Sequence, residues 1–270
     1  MQLKVGWMSF CLGLALVQTP SVWARDGVDV GGNSAFSKLV SADQVEETAK
    51  LQYQQTLQQA QQKQALAPAD HPQLVRLRRI AQRIIPYTAD WNPRAKDWKW
   101  QVNLIGSSQI NAWCMPGGKI AFYTGILDKL QLNDDEVAAV MGHEIAHALR
   151  EHARERMGKS AATNLGANLL SQLLGAGTLG QQVIGGGAQL LNLQFSRSDE
   201  TEADLVGLEL AARAGFDPRA GISLWKKMSA QNTGAPPQWL STHPASSTRI
   251  AQIEKNLPKV LPLYEQARKS

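Results

Sequence analysis

Residues 134–158 read DDEVAAVMGHEIAHALREHARERMG, apolar every three or four positions at Val137, Val140, Met141, Ile145, Ala148 and Leu149. Such spacing predicts a single amphipathic helix. In its most apolar part stand His143, Glu144 and His147. A helix that buries a face has little use for three ionisable groups there unless they do chemistry. Two histidines four residues apart lie on one helical face and can share a metal ion. Glu144 is rotated by about 100° from His143. It is poorly placed to join them as a ligand and well placed to take a proton from a water held beside the metal. Two imidazoles alone do not make a catalytic zinc centre, which usually has three protein ligands and an open position.

A third ligand is therefore expected elsewhere in the chain. His152 is near, but the glycine and histidine that an extended histidine motif would need at positions 150 and 153 are replaced by Arg150 and Ala153. His152 is expected to lie off register, exposed or beside the ligands. The stretch SRSDETEAD offers Glu200 and Asp204, again four apart, with Glu202 pointing elsewhere. One of the pair can bind the metal while the other orients a ligand imidazole through its second nitrogen.

Around these residues the chain must supply a scaffold. It has 270 residues, 43% hydrophobic, with a net charge of +5. No dense run of Lys and Arg with interleaved aromatics occurs, which argues against nucleic acid as a partner. Residues 1–24 hold Lys4, an apolar run from Val5 to Val17 and the small-residue ending Val22-Trp23-Ala24, so a signal peptide cleaved near Ala24 and export to the periplasm are expected. Phe10 before Cys11 argues against a lipid anchor, and Cys114 is the one cysteine remaining after cleavage, which leaves no intramolecular disulfide.

Residues 25–70 read as a loose leader followed by a Gln-rich helical arm with a thin stripe of Val45, Leu51, Leu57 and Leu66. The main domain is expected over 71–270. It opens with an amphipathic helix that turns Leu74, Leu77, Ile80, Ala81 and Ile84 inward. A strand at WKWQVNLI, a hairpin about Pro116-Gly117-Gly118 and the short helix GILDKLQ precede the histidine helix. Residues 160–196 carry no charge at all and predict two close-packed helices with glycine turns, with a lid or peripheral membrane contact as the alternative. Pro236-Pro237 read as a loop, and Pro244 as a first-turn residue that sets His243 at the cap of a last helix.

HEIAH, then FSRSDETEADLVG, then HPASSTRI resembles metallopeptidase family forty-eight, the HtpX, CAAX prenyl protease and Oma-like zinc peptidases, over roughly Gln73 to Asn256. In layout it is similar to the periplasmic members. The resemblance implies an α+β zincin-like (gluzincin) domain, mostly helical with a small sheet. It implies one zinc per chain, held by His143, His147 and Glu200, with Asp204 behind a ligand, and with His243 and Arg249 facing the metal site as catalytic groups beside the base Glu144. NAWCMPGGKIAFYTGIL is similar to the family's strand pair, so protein or peptide substrates are expected along an edge strand near Asn111–Met115. Trp113 and Cys114 stand where smaller residues are common, which leaves the groove's shape open. The function implied is a zinc endopeptidase acting on misfolded or unassembled envelope proteins. The alternative is a chaperone-like or scaffold protein with a latent or structural zinc.

Overall fold

A computed structural model describes residues 26–173, 190, 193–231, 237–244 and 247–269. The signal-peptide reading of 1–24 lies outside these residues, as do 174–189 and 191–192 of the expected helical pair in 160–196. The architecture is α+β, mostly helical with one small sheet, as expected. No helix among the described residues is long and apolar enough to cross a membrane.

Helix α1 (Ala42–Gln62) starts at Ser41, whose hydroxyl accepts from Gln44 N. Its buried face is Val45, Ala49, Tyr53 and Ala60, and Leu51, expected in the stripe, is 57% exposed. Two residues past Ala49 a helix has turned by about 200°, so Leu51 faces outward, while Leu57 and Leu66 pack half-buried against the Ala49, Tyr53 and Ala60 seam. Tyr53 anchors it: its hydroxyl donates to Ile120 O at 2.9 Å and accepts from Asn103 Nδ2 at 2.8 Å. Helix α2 (Pro72–Ile84) has Pro72 at its first turn and buries Leu74, Leu77, Ile80, Ala81 and Ile84 as expected. Pro72 opens this helix because its missing N–H costs nothing in the first turn.

Strands β1 (Gln101–Ile105), β2 (Ala112–Met115) and β3 (Lys119–Tyr123) form the sheet in the order β1-β3-β2. The predicted hairpin is β2 antiparallel to β3, with Cys114 opposite Ile120, and β1 runs parallel to β3. Gly117 and Gly118 turn the chain at φ +80° and +73°, which glycine reaches without strain. One edge of the sheet is β2.

After α3 (Thr124–Leu130), helix α4 (Asp134–Leu149) runs through the centre of the molecule, packed on β2, on α2, on α6 (Arg197–Arg213) and on α7 (Ala220–Ala230). Its start is held by a capping box, with Asn133 accepting from Glu136 N and Glu136 accepting from Asn133 N. The expected continuous helix over 134–158 is two helices. α4 stops at Leu149, and α5 (His152–Leu173) follows after Glu151 takes the left-handed conformation at φ +58°. No glycine or proline marks the break. It is fixed from outside, because Asn92 Nδ2 donates to the Leu149 carbonyl at 3.0 Å.

α4 and α6 touch at backbone distance through Gly142 and Gly207. A Cβ on Gly207 would stand 2.5 Å from His143 N, and one on Gly142 2.6 Å from Gly207 O. This contact sets how far the acidic helix lies from the histidines. Gly207→Ala is expected to cost about 1–3 kcal/mol, as overpacking does, read as a lower urea midpoint. It should also weaken metal binding, because the helices must part.

The remaining elements are α8 (Gln238–Thr242) and α9 (Ser247–Ala267), which packs on α6. His243 closes α8, with its N–H on Trp239 O at 2.8 Å, and does not cap the last helix as expected. The Pro-Pro sequence is followed at once by a helical turn, which carries Trp239 into the core.

Candidate metal centre

His143 and His147 project from one face of α4, and Glu200 from the first turn of α6, which starts at a capping box of Ser196 and Asp199. His243 enters from the end of α8. All four are buried, and one ligand atom from each lies within 4.8 Å of the others. His143 Nε2 is 3.1 Å from His147 Nε2 and 3.6 Å from Glu200 Oε2, and His147 Nε2 is 3.5 Å from Glu200 Oε1. Tetrahedral bonds of ~2.0–2.2 Å set ligand atoms about 3.3–3.6 Å apart; the distances to the two Glu200 oxygens lie in that range and the imidazole pair is slightly closer, so the cluster has the size of a zinc site. His243 Nδ1 occupies the fourth corner, 3.2 Å from His143 Nε2 and 2.9 Å from Glu200 Oε1.

The donor chemistry also fits. Burial, then repulsion from His143 and His152, keeps the His147 imidazole well below its usual pKa, so it is neutral with a lone pair to give. Burial opposes ionisation of Glu200, but His243, His143 and Arg249 lower its pKa. Glu200 Oε2 is buried and accepts no hydrogen bond, although Arg249 Nη1 lies 2.6 Å away. The short distance is an ion pair without hydrogen-bond alignment, which leaves a lone pair for a cation.

Glu144 has 3% of its surface exposed and lies on the cleft side. Its Oε1 accepts from Trp239 Nε1 at 2.6 Å and stands 3.5 Å from His243 Nε2. The cleft itself is lined by β2 and its flanks from Asn111 to Pro116, with Glu144, His147, His243, Leu193 and Phe195. Phe195 stacks on His147 at 4.0 Å between centroids. Cys114 is no ligand: burial, then Glu144, holds its thiol well above the usual pKa, and its Sγ donates to Met115 O at 3.6 Å.

Asp204 stands behind His143, with Oδ1 at 3.0 Å from Nδ1. Burial would raise its pKa, yet Arg249 and His143 hold it down at about 2. Arg249, expected to face the reacting side, is instead behind the ligands. It donates to Asp204 Oδ2 at 2.6 Å and Oδ1 at 2.7 Å, pairs with Glu200, and lies over the Trp225 ring at 3.6 Å. It is not among the cleft-lining residues. Its Nε and Nη2 are engaged by Asp204, and Nη1 donates to the Pro244 carbonyl at 3.3 Å beside Glu200.

The sequence model of the peptidase family M48 matches residues 73–257. The chain belongs to peptidase family M48. Over 220 residues it is 33% identical to the mitochondrial metalloendopeptidase OMA1 of Saccharomyces cerevisiae, covering 77% of this chain and 62% of that protein. The metalloprotease LoiP of Escherichia coli is 28% identical over 86% of this chain and 88% of its own length. The beta-barrel assembly-enhancing protease of Yersinia pestis is 30% identical over 59% of this chain and 35% of its own. The M48 match spans α2 to α9 and so contains all four clustered residues.

Sequence reasoning missed several residues of this M48 centre. Trp239 follows the Pro236-Pro237 loop signal and has no role assigned from sequence, Trp225 carries no signal beyond being aromatic, and Phe195 opens the FSRSDETEADLVG motif without a role of its own. His152, expected off register, is 1% exposed with its Nδ1 at 2.9 Å from His147 Nδ1. On a continuous helix it would point about 140° away from His147; the break at Glu151 turns it back.

Proposed function

We propose that this chain is a zinc-dependent endopeptidase, exported to the periplasm of a bacterial cell envelope, that hydrolyses peptide bonds in misfolded or unassembled envelope proteins. The observation that carries the reading is the tetrahedral spacing of His143, His147 and Glu200 beside a buried carboxylate that points into a cleft with a strand at its edge. The leader in 1–24 and the bacterial relatives support the location, and the family supports the reaction.

His143, His147 and Glu200 would hold a zinc ion, which when bound would supply Lewis acidity to the site. Glu144 takes the proton of the attacking water and hands it to the leaving amine, with Trp239 fixing its orientation. Substrate lies along β2 as an added strand, since extended peptides bind sheet edges through their backbones. His243 Nε2 faces Glu144, where it can stabilise the oxyanion once Nδ1 is free of the cluster. The test is cleavage of an unfolded protein by the mature chain, abolished by a chelator and restored by zinc.

One zinc per chain is expected by metal analysis. Glu200→Ala should weaken zinc binding by more than the ~10–100-fold that follows loss of an orienting partner. Full occupancy in that variant would remove Glu200 from the centre.

The placement of His243 Nδ1 favours a second reading, a latent or structural zinc in a chaperone-like protein, because four protein ligands are the closed, inert design. A closed site gains nothing from a base at Glu144, which weighs for the enzyme with His243 as a latch. His243→Ala is then expected to cut unfolded protein faster than the wild type. Slower cutting would leave His243 a transition-state role only.

A further inference from the structure

The two histidines of α4 are supported in different ways. His143 Nδ1 meets Asp204 directly, with Arg249 behind the carboxylate. His147 Nδ1 meets no carboxylate. It meets His152 Nδ1 at 2.9 Å, and His152 Nε2 lies 3.1 Å from Glu202 Oε2. The other oxygen of Glu202 is paired with Arg150 Nε, and Arg150 Nη2 donates to the Gly31 carbonyl at 2.9 Å.

We propose that His152 and Glu202 are positioning residues for His147, forming a relay that fixes its tautomer and its ring. The proposal rests on the zinc reading above. One assignment of protons satisfies every distance. His147 turns Nε2 toward the cluster, so its hydrogen is on Nδ1 and is donated to His152 Nδ1. The hydrogen of His152 is then on Nε2 and is donated to Glu202. Negative charge at Glu202 thereby reaches His147 through a second imidazole, as Asp204 reaches His143 at first hand. Ligand histidines need such a partner on their second nitrogen to hold orientation and basicity. Arg150, 6% exposed, pairs with the second oxygen of Glu202 and holds the carboxylate in place under His152. The bond from Arg150 to Gly31 ties the segment before α1 to the same relay.

Zinc affinity of the full chain by chelator competition, with the visible spectrum of the cobalt form, tests the relay. His152→Ala is expected to weaken zinc by ~10–100-fold and to change the cobalt bands. His152→Gln should recover most of both, because an amide can accept from His147 and donate to Glu202. Wild-type affinity in His152→Ala, or no recovery with Gln in a metal-free protein that unfolds like the wild type, overturns the relay. If His152→Ala does not fold, Glu202→Ala decides, since it keeps the imidazole: undiminished affinity there overturns the proposal. The control is His147→Ala. A wild type that binds zinc no better than this control would overturn the metal reading itself, and the relay with it, whereas tight wild-type binding with unaffected variants sinks the relay alone.

Discussion

Glu144→Gln is expected to retain zinc and fold while peptide cleavage falls by at least ~10²-fold, the low end for loss of a general base. The glutamine amide has nearly the carboxylate's shape and can still accept from Trp239, whose indole N–H holds Glu144 Oε1 at 2.6 Å. What it cannot do is take a proton. The loss should therefore appear in kcat, with zinc content unchanged and the urea midpoint close to that of the wild type. Cleavage near the wild-type rate would mean that another group is the base, and His243, 3.5 Å from Glu144, would be the first to test. A chaperone-like role would respond differently: retention of unfolded clients should be indifferent to this change.

Arg249→Ala should be the most destabilising single change at the centre, by about 3–5 kcal/mol, because removing one member of a buried ion pair leaves the other charge uncompensated. Here two carboxylates lose their cation, Asp204 and Glu200, both almost wholly enclosed. The Trp225 ring also loses the guanidinium stacked on it at 3.6 Å. Urea unfolding of metal-free protein measures the effect. Arg249→Lys should recover only part of it, since an ammonium cannot make the two parallel bonds to Asp204. If Arg249 acted mainly on an oxyanion, the alanine variant would instead keep its stability and lose kcat.

Much of this molecule could be read from local pattern. The inward face of α2 follows from apolar spacing alone, and all five residues expected there are buried. The β2–β3 hairpin follows from Pro116-Gly117-Gly118 between alternating strands. The histidines of α4 share a face because a helix repeats every 3.6 residues, and three motifs in order pointed to M48. These are short-range features, set by neighbours in the chain.

Other features depended on contacts between distant segments. The end of α4 carries no glycine or proline, and its position rests on Asn92, more than fifty residues upstream, bonding the Leu149 carbonyl. That break alone brings His152 under His147, where the helical period would have sent it away. His243 looked like a cap on α9 and instead closes α8, because Trp239 is drawn into the core beside Glu144. Arg249, which the resemblance sets facing the metal site, reaches it from behind His143 and Glu200, where two buried carboxylates hold its charge. Chain-local spacing singles out His143, His147 and Glu144 and leaves Glu200 and Asp204 as alternatives, between which the resemblance to the family chooses. Packing of α4, α6 and α8 around the Gly142–Gly207 contact decided their distances and which polar groups stand behind each one, since unpaired charge cannot be buried and its partners come from wherever the fold brings them.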